Sequence, residues 1–215
     1  MNGIYISKVH GWKPSAENPK EKPKLEFADP LFKRRLSQVT RMTVQVLHDL
    51  LQEVPEAASL KQVFVSFRGE IEREFTINRG LIEDSEILPA GFSLSVFNTP
   101  VAAATLSLGL KAGYSVIYPS KENFNSALLG AAAPVLCGSE KKIIFVYADE
   151  YVPDEYGALC PQENTGFAFA CILSLENVSG AKFIGTEEIK KDSFSPVDLY
   201  NKVSVLYGYR IKRRN

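Results

Sequence analysis

The sequence lacks any excess of charge: its 215 residues carry 25 basic and 25 acidic side chains, which cancel. A balanced chain has no global field to draw it to nucleic acid or an anionic membrane, and neither is expected as a partner. Long apolar runs are missing too. No segment reaches the roughly 20 uninterrupted apolar residues that span a bilayer, and the opening MNGIYISKVHGW lacks the apolar centre of a signal peptide. The expectation is a cytoplasmic chain without membrane insertion. Cysteine is scarce: Cys137, Cys160 and Cys171 are odd in number, widely spaced and without a CxxC pair. That argues against a disulfide framework and a zinc site, and for reduced thiols. Only two histidines occur, His10 and His48, and there is no G-x-S-x-G elbow, so little supports a serine-histidine hydrolase. No internal repeat is visible.

What is present fits one globular domain with a proper core, since 45% of the residues are hydrophobic and 23% charged. Residues 1–30 read as an N-terminal arm or loop, because KPSAENPKEKPKLEFADP holds four prolines and many charges. The folded domain then runs over 31–215. From Leu36, apolar residues recur at Val39, Val46, Leu47, Leu50, Leu51 and Val54, one stripe of a helix that Pro55 closes. Val63 to Phe67, Gly69 and Glu70 to Arg79 read as strand, turn and helix, with Ile71 and Phe75 on one helical face. Asn98 and Thr99 before Pro100 read as a helix cap, and small residues come next at Ala102, Ala103 and Ala104. Tyr114 to Tyr118 reads as a strand and Glu122 to Ala133 as a small-residue helix. Ile143 to Tyr147 and Gly166 to Leu175 read as strands, and Ser195 opens a last helix to about Leu206. Strands alternating with helices predict an α/β fold, a mixed, mostly parallel sheet covered by helices.

Three stretches, in order, resemble the N-terminal half of the β-ketoacyl synthases, members of the thiolase-like fold. They are FKRRLSQVTRMTVQVLHDLL, VFVSFRGEIE and ILPAGFSLSVFNTPVAAATLSLG, the last similar to the family's S-P-x-x-F-S-x-S-V-x-N-x-x-A stretch. The resemblance is strongest to the divergent chain-length-factor subfamily of aryl polyene and related clusters, and covers about Leu31 to Leu175. It implies half of a thiolase-like fold. In ketosynthases the next strand leads to the cysteine that attacks the acyl thioester. Here that stretch is GYSVIYPSKENFNSALLG, no cysteine lies between Leu31 and Leu136, and Lys121 or Glu122 falls at the nucleophile's place. Neither side chain can form an acyl thioester. The family's histidine pair belongs to a second half of the fold, and His10 and His48 match no part of it.

Other candidates weigh less. Cys137 and Cys171 read as small buried hydrophobes; Cys160, in PDEYGALCPQENTG, invites a reactive reading, but the surrounding acids would raise its pKa. Lys121 beside Glu122 reads as an exposed pair at a helix start. DEYVPDEYG has no calcium-loop pattern, so no metal is assigned, and no cofactor either. The terminal RIKRRN is a solvated tail or a guide for an acidic acyl carrier protein.

Taken with the resemblance, these residues point to a non-catalytic partner subunit that forms a heterodimer with a full-length β-ketoacyl synthase, with an acyl carrier protein as transient partner. The resemblance implies pairing through Tyr114, Ser115, Val116, Ile117 and Tyr118. It also implies an acyl-tunnel gate at Ile71 and Phe75. The alternatives are a small acyltransferase or thioesterase-type enzyme, and a monomeric scaffold that binds the carrier protein.

Overall fold

The computed structural model describes residues 2–86, 89–120, 123–157, 164–191 and 194–204. Its strands are β1 (Gly3–Trp12), β2 (Gln62–Val65), β3 (Tyr114–Ile117), β4 (Lys142–Asp149), β5 (Phe167–Ser174) and β6 (Lys182–Gly185). The helices are α1 (Pro30–Arg34), α2 (Gln38–Glu53), α3 (Ile71–Asp84), α4 (Pro89–Phe92), α5 (Thr99–Ser107), α6 (Phe124–Leu136), α7 (Thr186–Lys191) and α8 (Pro196–Ser204). One six-stranded sheet runs in the order β3-β2-β4-β5-β1-β6. β2 pairs parallel with β3 and β4, whereas β4–β5, β5–β1 and β1–β6 are antiparallel. The sheet is therefore mixed, but its parallel part is confined to three strands.

Alternation along β4 and β5 divides the core between the two faces of the sheet. Ile143, Phe145 and Tyr147 join Phe167, Phe169 and Cys171 under α6, α7 and α8. Ile144, Val146 and Ala148 join Ala168, Ala170 and Ile172 under α2 and α5. Helices cover both faces, which is why these two strands are continuously apolar from Ile143 to Ala148 and from Phe167 to Leu173. Caps set the helix starts: Ser37 Oγ accepts the Thr40 N–H at 3.1 Å, and Asn123 Oδ1 accepts the Ser126 N–H at 3.1 Å. Ser195 and Asp198 cap α8 reciprocally, through bonds of 3.1 and 3.2 Å.

Residues 1–30 do not form an arm throughout. Residues 3–12 are a strand laid between β5 and β6, and only the proline-rich stretch from 13 onward is irregular before α1. A bulge hides this strand from a two-residue periodicity. Ile4 and Ile6 point into the α6–α8 side, the register then shifts between Ser7 and His10 with Lys8 at φ 55°, and Val9 takes the next inward place. β6 and α7 are further elements that no pattern announces. Asn98 caps nothing with its side chain: its backbone is already helical, and its Nδ2 donates instead to Tyr114 Oη at 3.1 Å.

Candidate functional site

β3 stands at one end of the sheet, and among the described residues no strand pairs with its outer backbone edge. The ladder to β2 runs from Gln62 opposite Tyr114 to Val65 opposite Ile117. Gln62 N–H donates to Gly113 O at 3.1 Å, and Ser66 N–H to Ile117 O at 3.4 Å. In a parallel ladder of that register the backbone groups of Gly113, Ser115 and Ile117 face β2, and those of Tyr114 and Val116 face outward. Side chains alternate likewise: Val116 packs on the α5 side of the sheet and Ile117 on the α6 side. The rings of Phe97 and Tyr118 meet at a tilt with centroids 4.3 Å apart just past the strand. Gly69 makes room for them: its φ of +59° turns the chain after β2, and a Cβ there would lie 2.6 Å from the Phe97 ring.

The stretch of chain that carries this edge is almost without charge. Between Ile87 and Ser139 the chain has three charged residues, Lys111, Lys121 and Glu122, in a sequence that is 23% charged overall. α5 and α6 carry none. Yet much of this surface is open: Leu106 is 82% exposed, Phe92 59% and Tyr118 52%. On α6 the exposed positions are Ser126, Gly130 and Ala133, small enough for another backbone to come close. On the other face of the sheet an apolar groove of about 550 Å³ lies between α1 and α5, with Leu31, Val96 and Leu106 on its walls. Surface of this kind marks an interaction site. The opposite edge, β6, starts at Lys182 and leads into Glu187, Glu188, Lys190 and Lys191, the charged pattern that keeps edges from pairing.

Behind this region, at the carboxyl ends of β2 and β4, three acids are buried. Asp149 accepts from Ser66 Oγ, the Phe67 and Arg68 N–H groups, and Tyr147 Oη at 2.6 to 3.0 Å. Glu70 accepts from Ser37 Oγ at 2.7 Å, from Thr40 Oγ1 and from Arg73 Nε at 3.0 Å. Glu150 receives the Val39 N–H at 3.2 Å and the Glu72 N–H at 3.1 Å, the amino ends of α2 and α3. Burial and then repulsion by Glu70 push the Glu150 carboxyl up to about 8. Burial also raises Asp149, against its hydrogen bonds. With every oxygen engaged, these acids hold elements together.

The structure gathers some of the candidate residues and scatters others. Tyr114 to Ile117 are the edge strand itself, with Tyr118 one residue beyond. Ile71 and Phe75 are half-buried on α3, and the Phe75 ring meets Tyr156 edge-on at 5.3 Å with the Arg79 guanidinium over it. Cys171 is buried in β5, and burial raises its thiol. Cys137, by contrast, is not a buried hydrophobe: it caps α6 in the open, where a hydrogen bond with Ser139 lowers its thiol pKa. The apolar run before it suggests burial, but a helix end exposes the residue just beyond its last apolar turn. His10 pairs with Glu53 at 2.7 Å, and His48 stacks on Phe27. Lys121, Glu122, Cys160 and the RIKRRN tail lie outside the described residues. Among the described residues no group of three His, Cys, Asp or Glu is placed to hold a metal, and no helix is long and apolar enough to cross a membrane. The one signal for this flank that periodicity misses is the charge gap from Ile87 to Ser139. What the arrangement offers chemically is a row of free backbone donors and acceptors beside apolar area, the means to bind an extended strand.

The sequence profile of the β-ketoacyl synthase N-terminal domain matches residues 9–198. Among solved structures, the chain is similar to one described as the ketosynthase ApeO in complex with its chain length factor ApeC from Xenorhabdus doucetiae. The TM-score is 0.65 at 20% identity, over 82% of this chain and 80% of that one. It is also similar to a β-ketoacyl synthase from Burkholderia phymatum, with TM-score 0.59, 11% identity, and 81% and 59% of the two chains covered. For the ishigamide ketosynthase/chain length factor the values are 0.56, 12%, 83% and 63%. At such identities the likeness is one of fold, and the chain spans only about three-fifths of the last two. No protein of curated function matches the chain.

Proposed function

This chain belongs to the β-ketoacyl synthase N-terminal domain family, and from that premise we propose that it is a non-catalytic, chain-length-factor-like subunit that pairs with a full-length ketosynthase. The observation that carries this reading is the β3 edge, unpaired among the described residues and carried by a stretch of chain nearly free of charge. Edge pairing supplies directional backbone hydrogen bonds, and the exposed apolar residues beside it supply area; stable subunit interfaces commonly bury about 2,000 Å² or more in total. A catalytic role is disfavoured by the sequence, which has no cysteine between Leu31 and Leu136 and offers Lys121 or Glu122 at the nucleophile's place. Its two histidines are also engaged separately, His10 with Glu53 and His48 with Phe27 and Asp49.

In this reading the subunit works in the cytoplasm and helps shape the partner's acyl tunnel, with Ile71 and Phe75 as gate, for an aryl polyene or a related polyketide or fatty-acid-like chain. An acyl carrier protein visits transiently. Co-expression with a ketosynthase tests the proposal: a one-to-one complex should co-elute, and Val116→Pro should abolish it. Val116 N–H faces outward, so proline there spares the bonds to β2 and removes a donor only from the outer edge. Full co-elution of Val116→Pro would move the interface elsewhere. A radiolabelled acyl group held covalently on this chain after denaturation would end the non-catalytic reading.

A further inference from the structure

The long helices α2 and α6 each bury a face, with Val39, Leu47 and Leu50 of the one and Phe124, Leu128 and Val135 of the other in the core. α3 is of similar length and buries no residue, and neither does α4. From Ile71 to Val96 no described residue is buried, and Ile82 is 81% exposed. A helix of 14 residues is marginal in water without packing, and Gly80 in its interior weakens it further. Its order therefore depends on the few points at which it is tied down.

Those points gather at its root. Glu70, fully buried, accepts from Ser37 Oγ and Thr40 Oγ1 at the start of α2 and from Arg73 Nε of α3. Glu150, also fully buried, accepts the Val39 N–H of α2 with one oxygen and the Glu72 N–H of α3 with the other. Arg73 Nη2 donates to Arg35 O at 3.0 Å, and the Phe75 ring meets Tyr156. From Thr76 to Ser95 no hydrogen bond or ion pair among the described residues reaches the rest of the fold. The chain returns at Phe97, whose ring lies against Gly69, so the whole excursion leaves and re-enters through one narrow neck.

Between this excursion and α1 the fold is open. A cleft of about 650 Å³ has Arg34 and Arg35 of α1 on one wall and Thr76, Ile77 and Gly80 of α3 on the other. The apolar groove of about 550 Å³, which shares Arg35, runs on to Leu94 and Val96. Glu83, Asp84 and Glu86, at the far end of α3, also line the larger cleft. Among the described residues, neither these three acids nor the side chains of Arg34 and Arg35 make an ion pair. Opposite charges thus face each other across open space and attract each other.

We infer that α3 and α4 form a flap, hinged where Gly69 meets Phe97 and latched at its root by Glu70, Glu150 and Arg73, that closes the cleft by bringing Glu83, Asp84 and Glu86 onto Arg34 and Arg35. An element clamped at one end and free along its length moves as a hinged body while the sheet stays folded. The motion belongs to the chain by itself, so its absence would leave the ketosynthase reading standing.

Pulsed electron-electron spin resonance on the full chain tests this. With Cys137 and Cys160 replaced by serine, spin labels at Leu31→Cys and Ile82→Cys, both exposed, report the distance from α1 to the flap. Two populations are expected, and the shorter should fall at least about twofold when salt is raised to about 1 M, where screening cuts charge attraction beyond about 3 Å. Glu83→Lys, Asp84→Lys and Glu86→Lys together should remove the shorter population, and adding Arg34→Glu and Arg35→Glu should restore it. All five positions are exposed or line the cleft, so the core is left alone. A body pair, Leu31→Cys with Gln52→Cys on α2, should keep one distance throughout. A single distance from Leu31 to Ile82 that neither salt nor the lysine variants move would overturn the flap, as would a body pair that shifts along with it.

Discussion

The carboxyl of Glu150 sits where two demands oppose each other. Burial and the neighbouring Glu70 favour its protonated form, while the Val39 and Glu72 N–H groups at two helix starts favour the anion, and the first pair prevails. An acid whose folded pKa is raised, here from 4.5 to about 8, binds its proton more tightly in the folded state. The contribution of Glu150 to stability is then fully present below pH 4.5, falls as the pH rises toward 8, and is lost above it. Glu150→Gln removes this titration whatever its fixed effect on packing. Denaturant unfolding between pH 5 and pH 8 should lose stability less steeply in the variant, by at most about 1.4 kcal/mol per pH unit. Parallel slopes for the two proteins would show that Glu150 stays ionised throughout.

Among the elements, β1 relies on small residues at its close contacts, Gly3 against Phe183 and Gly11 against Tyr200. Gly11 passes directly over the Tyr200 ring of α8, and a Cβ there would lie 2.5 Å from it, with Tyr200 itself buried in the core. Gly11→Ala should destabilise the fold by about 1–3 kcal/mol through overpacking, read as a lower thermal midpoint. Tyr200→Leu in the same chain should recover part of the loss, because it removes the obstructing ring edge. The same strand shows how an element escapes a periodic reading. The bulge at Ser7 to His10 reverses the alternation halfway, so that Lys8 falls where an inward residue is due and reaches Glu53 on α2 instead. α2 is legible for the opposite reason: its stripe keeps one period from Val39 to Leu50, and Ser37 and Pro55 mark its ends.

At the scale of the whole molecule, one edge of the sheet is guarded and the other is open, and the proposed function lives on that difference. In a reconstituted ketosynthase complex, Phe75→Ala should lengthen the carrier-bound products, since it takes away a ring that Tyr156 and Arg79 hold in place. Glu83→Ala, an exposed change on the same helix, should leave them alone. Mass spectrometry of the products decides, and equal chain lengths from intact complexes would remove α3 from the tunnel.

The sequence by itself determined the features set by local pattern. The helical stripe of α2, the continuously apolar β4 and β5, the cap at Ser195 and the lack of a cysteine from Leu31 to Leu136 all rest on residue types at fixed spacing. Tertiary structure decided the features that depend on distant neighbours. Only the strand order makes β3 an edge, because Tyr114 to Ile117 would read the same in the middle of the sheet. Only packing takes Asn98 from a cap to Tyr114, brings Glu150 to the starts of two helices far from it in sequence, and turns Cys137 outward. Exposure and hydrogen-bond partnership belong to the assembled fold, since they depend on what lies beside a residue in space.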